Sequence, residues 1–184
     1  MYFFTADQHY YHGKAILHNN RPWPFPGKGK EPVEMNEGLI ANHNEVVGPK
    51  DIVIHAGDTI FDKSKEKAYR IINRLNGKHI FLKGSHDYWL PKGSTTRWEG
   101  MIEGHYVVVD HYNMRTWARS HYNSWQLYGH SHGRLEPTGK QWDVGVDNNN
   151  YYPVSWEQIK EIMKERPDNF NFRPNRRVYE KTDR

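Results

Sequence analysis

The chain contains no cysteine, which removes disulfides, zinc–thiolate sites, iron–sulfur clusters and cysteine nucleophiles together. Any metal it holds must rest on nitrogen and oxygen donors. Long apolar runs are missing as well. No segment approaches the roughly 20 consecutive apolar residues that a membrane span needs, and the opening MYFFTADQHYYH carries no basic leader ahead of an apolar stretch. The expectation is a soluble, cytoplasmic protein with no membrane partner. Repeats and low-complexity tracts are also absent, and neither sign of charge dominates: 26 Lys and Arg stand against 22 Asp and Glu. The resulting pI of about 9.1 suits a phosphate-bearing partner without demanding one.

What is present is histidine, 12 in 184 residues, several in short clusters beside aspartate or glycine. A chain of this length fits one domain with one sizeable core. Residues 2–6, 51–56, 78–83 and 105–109 are apolar or β-rich runs bounded by polar breaks, and read as strands. Helical spacing of apolar positions fills 33–47 and 65–75. Strand, helix, strand, helix, strand implies α/β architecture with a parallel sheet flanked by helices. The second half offers short strands at 116–120, 126–128 and 141–146 with no long helix between them, and so leans mixed or antiparallel. A last helix starts at Ser155, which forms a capping box with Gln158 and a hydrophobic staple of Val154 on Ile159, and runs to about Arg166. Proline and glycine make 20–32 and 88–104 read as loops. The division is a domain at 1–166 and a polar tail at 167–184.

The polar clusters follow the strands, where open α/β sheets place their binding crevices. Asp7 and His9 follow the first, Gly57 and Asp58 the second, and Lys83-Gly84-Ser85-His86-Asp87 the third. Ser120-His121-Tyr122 and Gly129-His130-Ser131-His132-Gly133 add imidazoles on glycine-punctuated turns. A histidine taken singly is more often structural than a ligand; clusters converging on one sheet edge favour a metal site.

In this order the clusters resemble the signature of the calcineurin-like metallophosphoesterase family: D-x-H, G-D, G-N-H-D, a lone H, then G-H-x-H. They stand here as Asp7-Gln8-His9, Gly57-Asp58, Gly84-Ser85-His86-Asp87, His121 and Gly129-His130-Ser131-His132. The stretches TADQHYYHGKAIL, DIVIHAGDTIF, LNGKHIFLKGSHD and DVGVDNNNYYPVSWEQI look like a compact bacterial and phage branch of that family. The resemblance implies the metallophosphoesterase fold and two divalent ions drawn from manganese, iron, nickel and zinc. Asp7, His9 and His132 would hold the first ion, and Ser85, His121 and His130 the second, with Asp58 bridging. It further implies hydrolysis of a phosphate ester, most often a diester, by a metal-bridging hydroxide, with His86 as general acid and Asp87 holding its ring. Ser85 departs from the family's asparagine, and a short neutral hydroxyl implies a weaker second site.

His12, three residues after His9, is a candidate contact for substrate phosphate, with a helix-surface role as the alternative. The remaining histidines, His111 among them, are read as packed or solvent-exposed. Trp23, Phe25, Trp89, Trp98 and Trp117 are candidates for stacking bases, with Arg21, Lys28, Lys30 and Arg97 for phosphate contacts, although aromatics near loops are more often packed. The three asparagines at 148–150 read as a turn. Two other functions compete: a non-catalytic binding module on the same fold, and a nucleic-acid-binding protein with a structural metal. A phosphatase acting on monoesters or phosphoproteins is a third variant. The substrate is a phosphoester, with nucleotide or nucleic acid as candidates.

Overall fold

The computed structural model describes residues 1–174. Two four-stranded sheets face one another. The first has the order β3-β2-β1-β8, built from β1 (Tyr2–Thr5), β2 (Ile52–His55), β3 (Lys78–Phe81) and β8 (Val154–Ser155). Its partner has the order β4-β5-β6-β7, from β4 (Arg97–Ile102), β5 (His105–Asp110), β6 (Trp125–Tyr128) and β7 (Gln141–Asp143). Helix α1 spans Gly13–His18, α2 Val33–Val46, α3 Lys65–Ile72 and α4 Trp156–Glu165.

Period-two alternation divides the first sheet's side chains between two cores. Phe4 and Ile54 turn inward against Val107, Val109 and Leu127 of the second sheet, joined by Trp156, Ile159 and Met163 of α4. Phe3 and Val53 face the other way, onto Val47 at the end of α2. Another core, with Met35, Leu39, Ile71 and Leu75, lies under α2 and α3. The start of α4 is capped as its sequence implies, with Ser155 and Gln158 bonding reciprocally.

In the first sheet β1, β2 and β3 run parallel, and β8 antiparallel to β1. The second sheet is mixed, one of the two arrangements expected of it: β4 and β5 are antiparallel, and β5, β6 and β7 run parallel. A parallel bridge between Ala6 and Gly145 joins the two sheets at one edge. The C-terminal ends of β1, β2, β3, β5, β6 and β7 therefore gather there, and that edge carries the site.

Two expectations fail locally. Residues 97–102, inside the segment read as a loop, form β4, with only Ile102 buried. Its inward row is Trp98, Gly100 and Ile102, and the glycine with the outward Met101 blurs the apolar alternation by which a strand is read. The strand expected at 116–120 is absent; the chain turns there, with Arg119 at φ 59°. Of the tail, Asn169 is buried and donates to the carbonyls of Ser120 and Ser124, while the tail's residues 175–184 lie outside the described residues. No helix among those described is long and apolar enough to cross a membrane.

Candidate metal centre

Asp7, His9 and His132 form one group, and Asp58, His111 and His130 a second, the ligand atoms within each lying within 4.8 Å of one another. His9 Nε2 is 3.8 Å from Asp58 Oδ2, so Asp58 stands between the groups. Asp7, His9, Asp58, His130 and His132 come together as the motifs imply.

His121 does not. It sits on a 3-10 turn four residues ahead of β6, its ring against Tyr122 and its carbonyl accepting from the Arg173 N–H. That is the opposite end of β6 from His130. Because β5 and β6 are parallel, the residue that reaches the site edge is the one just after β5, His111. It is fully buried, with Nε2 3.3 Å from Asp58 Oδ2 and Nδ1 2.9 Å from the Ala56 carbonyl. The signal was legible, since His111 follows HYVVVD as Asp7 follows YFFTA; the lone-histidine position of the signature drew attention to the wrong residue.

Asp87 is the second correction. Its carboxylate accepts from the backbone N–H groups of Asp58, Thr59, Ile60 and Gly84 and from Trp89 Nε1, at 2.7–3.2 Å. It ties the Asp58 and Gly84 loops together and makes no hydrogen bond to the His86 ring. His86 itself stands at the rim, its ring 5.6 Å from that of His9 and 4.9 Å from that of Phe61, while its N–H donates to Asp58 Oδ1. Ser85 Oγ donates to Asp58 Oδ2 at 2.9 Å, so the hydroxyl supports the aspartate between the groups. The His12 ring stacks on Phe61, centroids 3.7 Å apart, and lies 5.3 Å from the His9 ring. A cavity of about 260 Å³ opens here, lined by His9, His12, Asp58, His86, His132 and Arg134 among others.

The backbone is held in an unusual conformation at this edge. Asp7, His9, Asp58, His130 and His132 all have φ between 50° and 69°. Left-handed backbone at a non-glycine residue costs on the order of 1–3 kcal/mol and persists only where surroundings over-determine it. Here the β1–β2 ladder continues into the loops, Asp7 N to Gly57 O and His9 N to Asp58 O. Glycine makes the approach possible: a Cβ at Gly129 would meet Asp7 Oδ2 at 2.8 Å, and one at Gly84 would strike Asp58 Oδ1.

Outer groups orient these side chains. His132 Nδ1 lies 2.7 Å from Asp147 Oδ2, which leaves Nε2 for a cation. Arg21 grips Asp147 through Nε and Nη2, and its Nη1 and Nη2 donate to the carbonyls of Gln8 and Asp7. Arg21 is therefore a buried brace, not a phosphate contact. Trp89 and Trp117 are buried, Trp98 packs beside Tyr2, Trp23 packs on Tyr151, and Arg97 pairs with Asp110; none of them is a stacking or phosphate group at this edge. Asn148 and Asn149 hold the Asp143 carbonyl, the turn expected of them.

The electrostatics fit a cation. Burial raises the Asp7 carboxyl to about 7 and drives His9 well below its ordinary value. Although burial opposes them, Asp58 and Asp7 push His111 up to about 9, and His111 with the His86 N–H holds Asp58 well below the carboxylate range. Asp7 Oδ1 and His9 Nδ1 are buried without a hydrogen-bond partner. Buried polar atoms of that kind are costly unless something occupies them, and imidazole with carboxylate suits borderline divalent ions.

No described family profile matches the chain. It is 31% identical over 170 residues to the uncharacterized protein MJ1445 of Methanocaldococcus jannaschii, covering 88% of this chain and 90% of the archaeal protein. The chain belongs to the MJ1445 family. Its fold is shared with the protein of unknown function AQ665 from Aquifex aeolicus, at a TM-score of 0.63 and 22% identity over 88% of this chain and 98% of the other.

Proposed function

We propose that this member of the MJ1445 family is a dinuclear metal-dependent hydrolase of phosphate esters, most simply a phosphodiesterase. The observation that carries the reading is the pair of His/Asp groups with Asp58 between them. Asp7, His9 and His132 would hold one divalent ion and His111 and His130 the other, with Asp58 shared. Bound there, two such cations supply Lewis acidity: they lower the pKa of water and neutralise charge that builds on a phosphoryl group. The protein's own part is to fix the donors, through Asp87, Arg21 and Asp147, and to line a cavity open to a substrate. His86 stands at its rim with a ring free to give a proton to a departing oxygen. His12, half-buried beside it, has its pKa lowered by burial to about 4 and is neutral at physiological pH, a hydrogen-bond partner rather than a charge. The second group is complete without Ser85, which leaves the non-catalytic scaffold reading little support.

The test is a hydrolysis panel of aryl phosphomonoester, aryl phosphodiester, cyclic nucleotides and single-stranded oligonucleotides, each with manganese, nickel or zinc. The proposal expects diester cleavage that EDTA abolishes. Hydrolysis that survives exhaustive metal removal overturns it, as does fully loaded protein that cleaves none of these esters.

A further inference from the structure

On the far side of the His12–Phe61 stack lies a second cavity, of about 280 Å³, lined by Lys14, Phe25, Lys28, Lys30, Phe61 and Lys67 among others. His12 lines both this cavity and the metal-centre cavity. Phe61, stacked on His12, reaches within 4.9 Å of the His86 ring. The two cavities thus share a wall one side chain thick.

The charge in the second cavity is unequally spent. Lys67 is committed to Glu31 and Asp62, at 3.0 Å from each. Those two acids are in this way neutralised in part. Among the described residues no carboxylate pairs with Lys14, Lys28 or Lys30, and all three are exposed. Lys28 and Lys30 reach the same cavity because the loop doubles back on itself, with Gly27 at φ 100°, Gly29 at φ 78° and the Lys30 N–H donating to the Gly27 carbonyl. A lone phosphate ester would need only the metal centre. A surplus of lysine one wall away matches a ligand whose negative charge repeats along its length, and Phe25, 37% exposed in the same lining, offers a ring to a base.

We propose that this basic cavity receives a neighbouring phosphate of single-stranded nucleic acid while another phosphate of the same strand occupies the metal centre. The proposal rests on the phosphodiesterase reading for its second half only. Lysine suits the task, being a point charge on a flexible stem that holds phosphate without demanding one orientation.

The experiment is fluorescence anisotropy of short 5′-labelled single-stranded oligodeoxynucleotides on the full chain in EDTA, over a range of salt. A variant with Lys14→Ala, Lys28→Ala and Lys30→Ala should bind at least about tenfold more weakly at low salt. The slope of log affinity against log salt should become shallower by about 0.7, the contribution of the one single-strand phosphate contact that the cavity makes. A variant with arginine at all three positions should keep the native slope, which separates lost charge from lost folding. An unchanged slope in the alanine variant overturns the proposal, as does displacement of the oligonucleotide by inorganic pyrophosphate at equal concentration. Turnover of an aryl phosphodiester with manganese separates the two readings. No turnover, with lysine-dependent strand binding intact, removes the hydrolase and leaves the strand site; turnover with lysine-independent binding removes only the strand site.

Discussion

A carboxylate that accepts five N–H donors, as Asp87 does from two loops and Trp89, is a fixed point from which neighbouring geometry is set. Replacing it with asparagine removes the charge those donors face and turns one acceptor into a donor pointing at N–H groups. Hydrogen bonds to charged groups each contribute about 1.5–3 kcal/mol, so Asp87→Asn should lower stability by on the order of 3 kcal/mol in urea denaturation of the metal-free protein. A loss under about 1 kcal/mol would contradict that bracing role. His111 and His121 give the second residue-scale prediction. His111→Ala removes a donor beside Asp58 and should leave the second ion bound much more weakly, while His121→Ala, at the far end of β6, should leave metal content at the native value. Elemental analysis of both purified variants checks this, and the reverse pattern would restore the reading from the signature. The error over His121 was local in origin: a motif fixes residue types and order, but the parallel pairing of β5 with β6 decides which end of the strand each histidine occupies.

Among the elements, the site is a property of strand ends. The runs at 2–6, 51–56 and 78–83, the helices at 33–47 and 65–75 and the capped last helix were legible because apolar runs, helical spacing and capping leave strong local patterns. Strand β4 was not, since Gly100 interrupts its inward row and the apolar Met101 faces outward. Nor was the parallel course of β5, β6 and β7, which depends on where the crossovers pass and not on any residue's propensity. The left-handed backbone at Asp7, His9, Asp58, His130 and His132 was equally hidden, because aspartate and histidine there break the local preference that the surrounding ladder overrides. That crowding yields a prediction at this scale. Gly129→Ala places a Cβ 2.6 Å from the Ala6 Cβ and 2.8 Å from Asp7 Oδ2 and should displace the Ala6–Asp7 segment with its carboxylate, weakening metal binding with little change in helix content. Native affinity by calorimetry, at native circular dichroism, would contradict it. The chain Arg21–Asp147–His132 makes another: Asp147→Asn should cost about 10–100-fold in affinity for the ion on Asp7, His9 and His132, the range typical of groups that orient a ligand.

Across the whole molecule, histidine is put to two uses. At the loop edge it stands in the two His/Asp groups that could hold a metal ion; in the body of the fold, His43, His55 and His79 lie together, with His55 Nε2 3.0 Å from His79 Nδ1 and His43 Nε2 2.9 Å from the Asn76 carbonyl. Burial lowers His43 to about 4. Unfolded, His43 takes up a proton near its ordinary 6.5; folded, it resists until about 4. Stability from this group is therefore full above the unfolded value and is lost as the pH falls from about 6.5 toward 4, by on the order of 3 kcal/mol at most. His43→Gln keeps a donor for the Asn76 carbonyl and lacks the titration, so its Tm in EDTA should fall less than the native protein's between neutral pH and about 4. An equal fall would place the acid sensitivity elsewhere. The two uses were not distinguishable by composition, since nothing in a count of histidines tells a buried stack from a ligand set. The account as a whole turns on two adjacent cation sites sharing Asp58. Its most direct test is metal stoichiometry by elemental analysis and manganese calorimetry on the native protein, His111→Ala and Asp58→Ala. The account predicts two ions per chain in the native protein, one in His111→Ala and the greatest loss in Asp58→Ala; a single ion in the native protein, or two retained without Asp58, would contradict it.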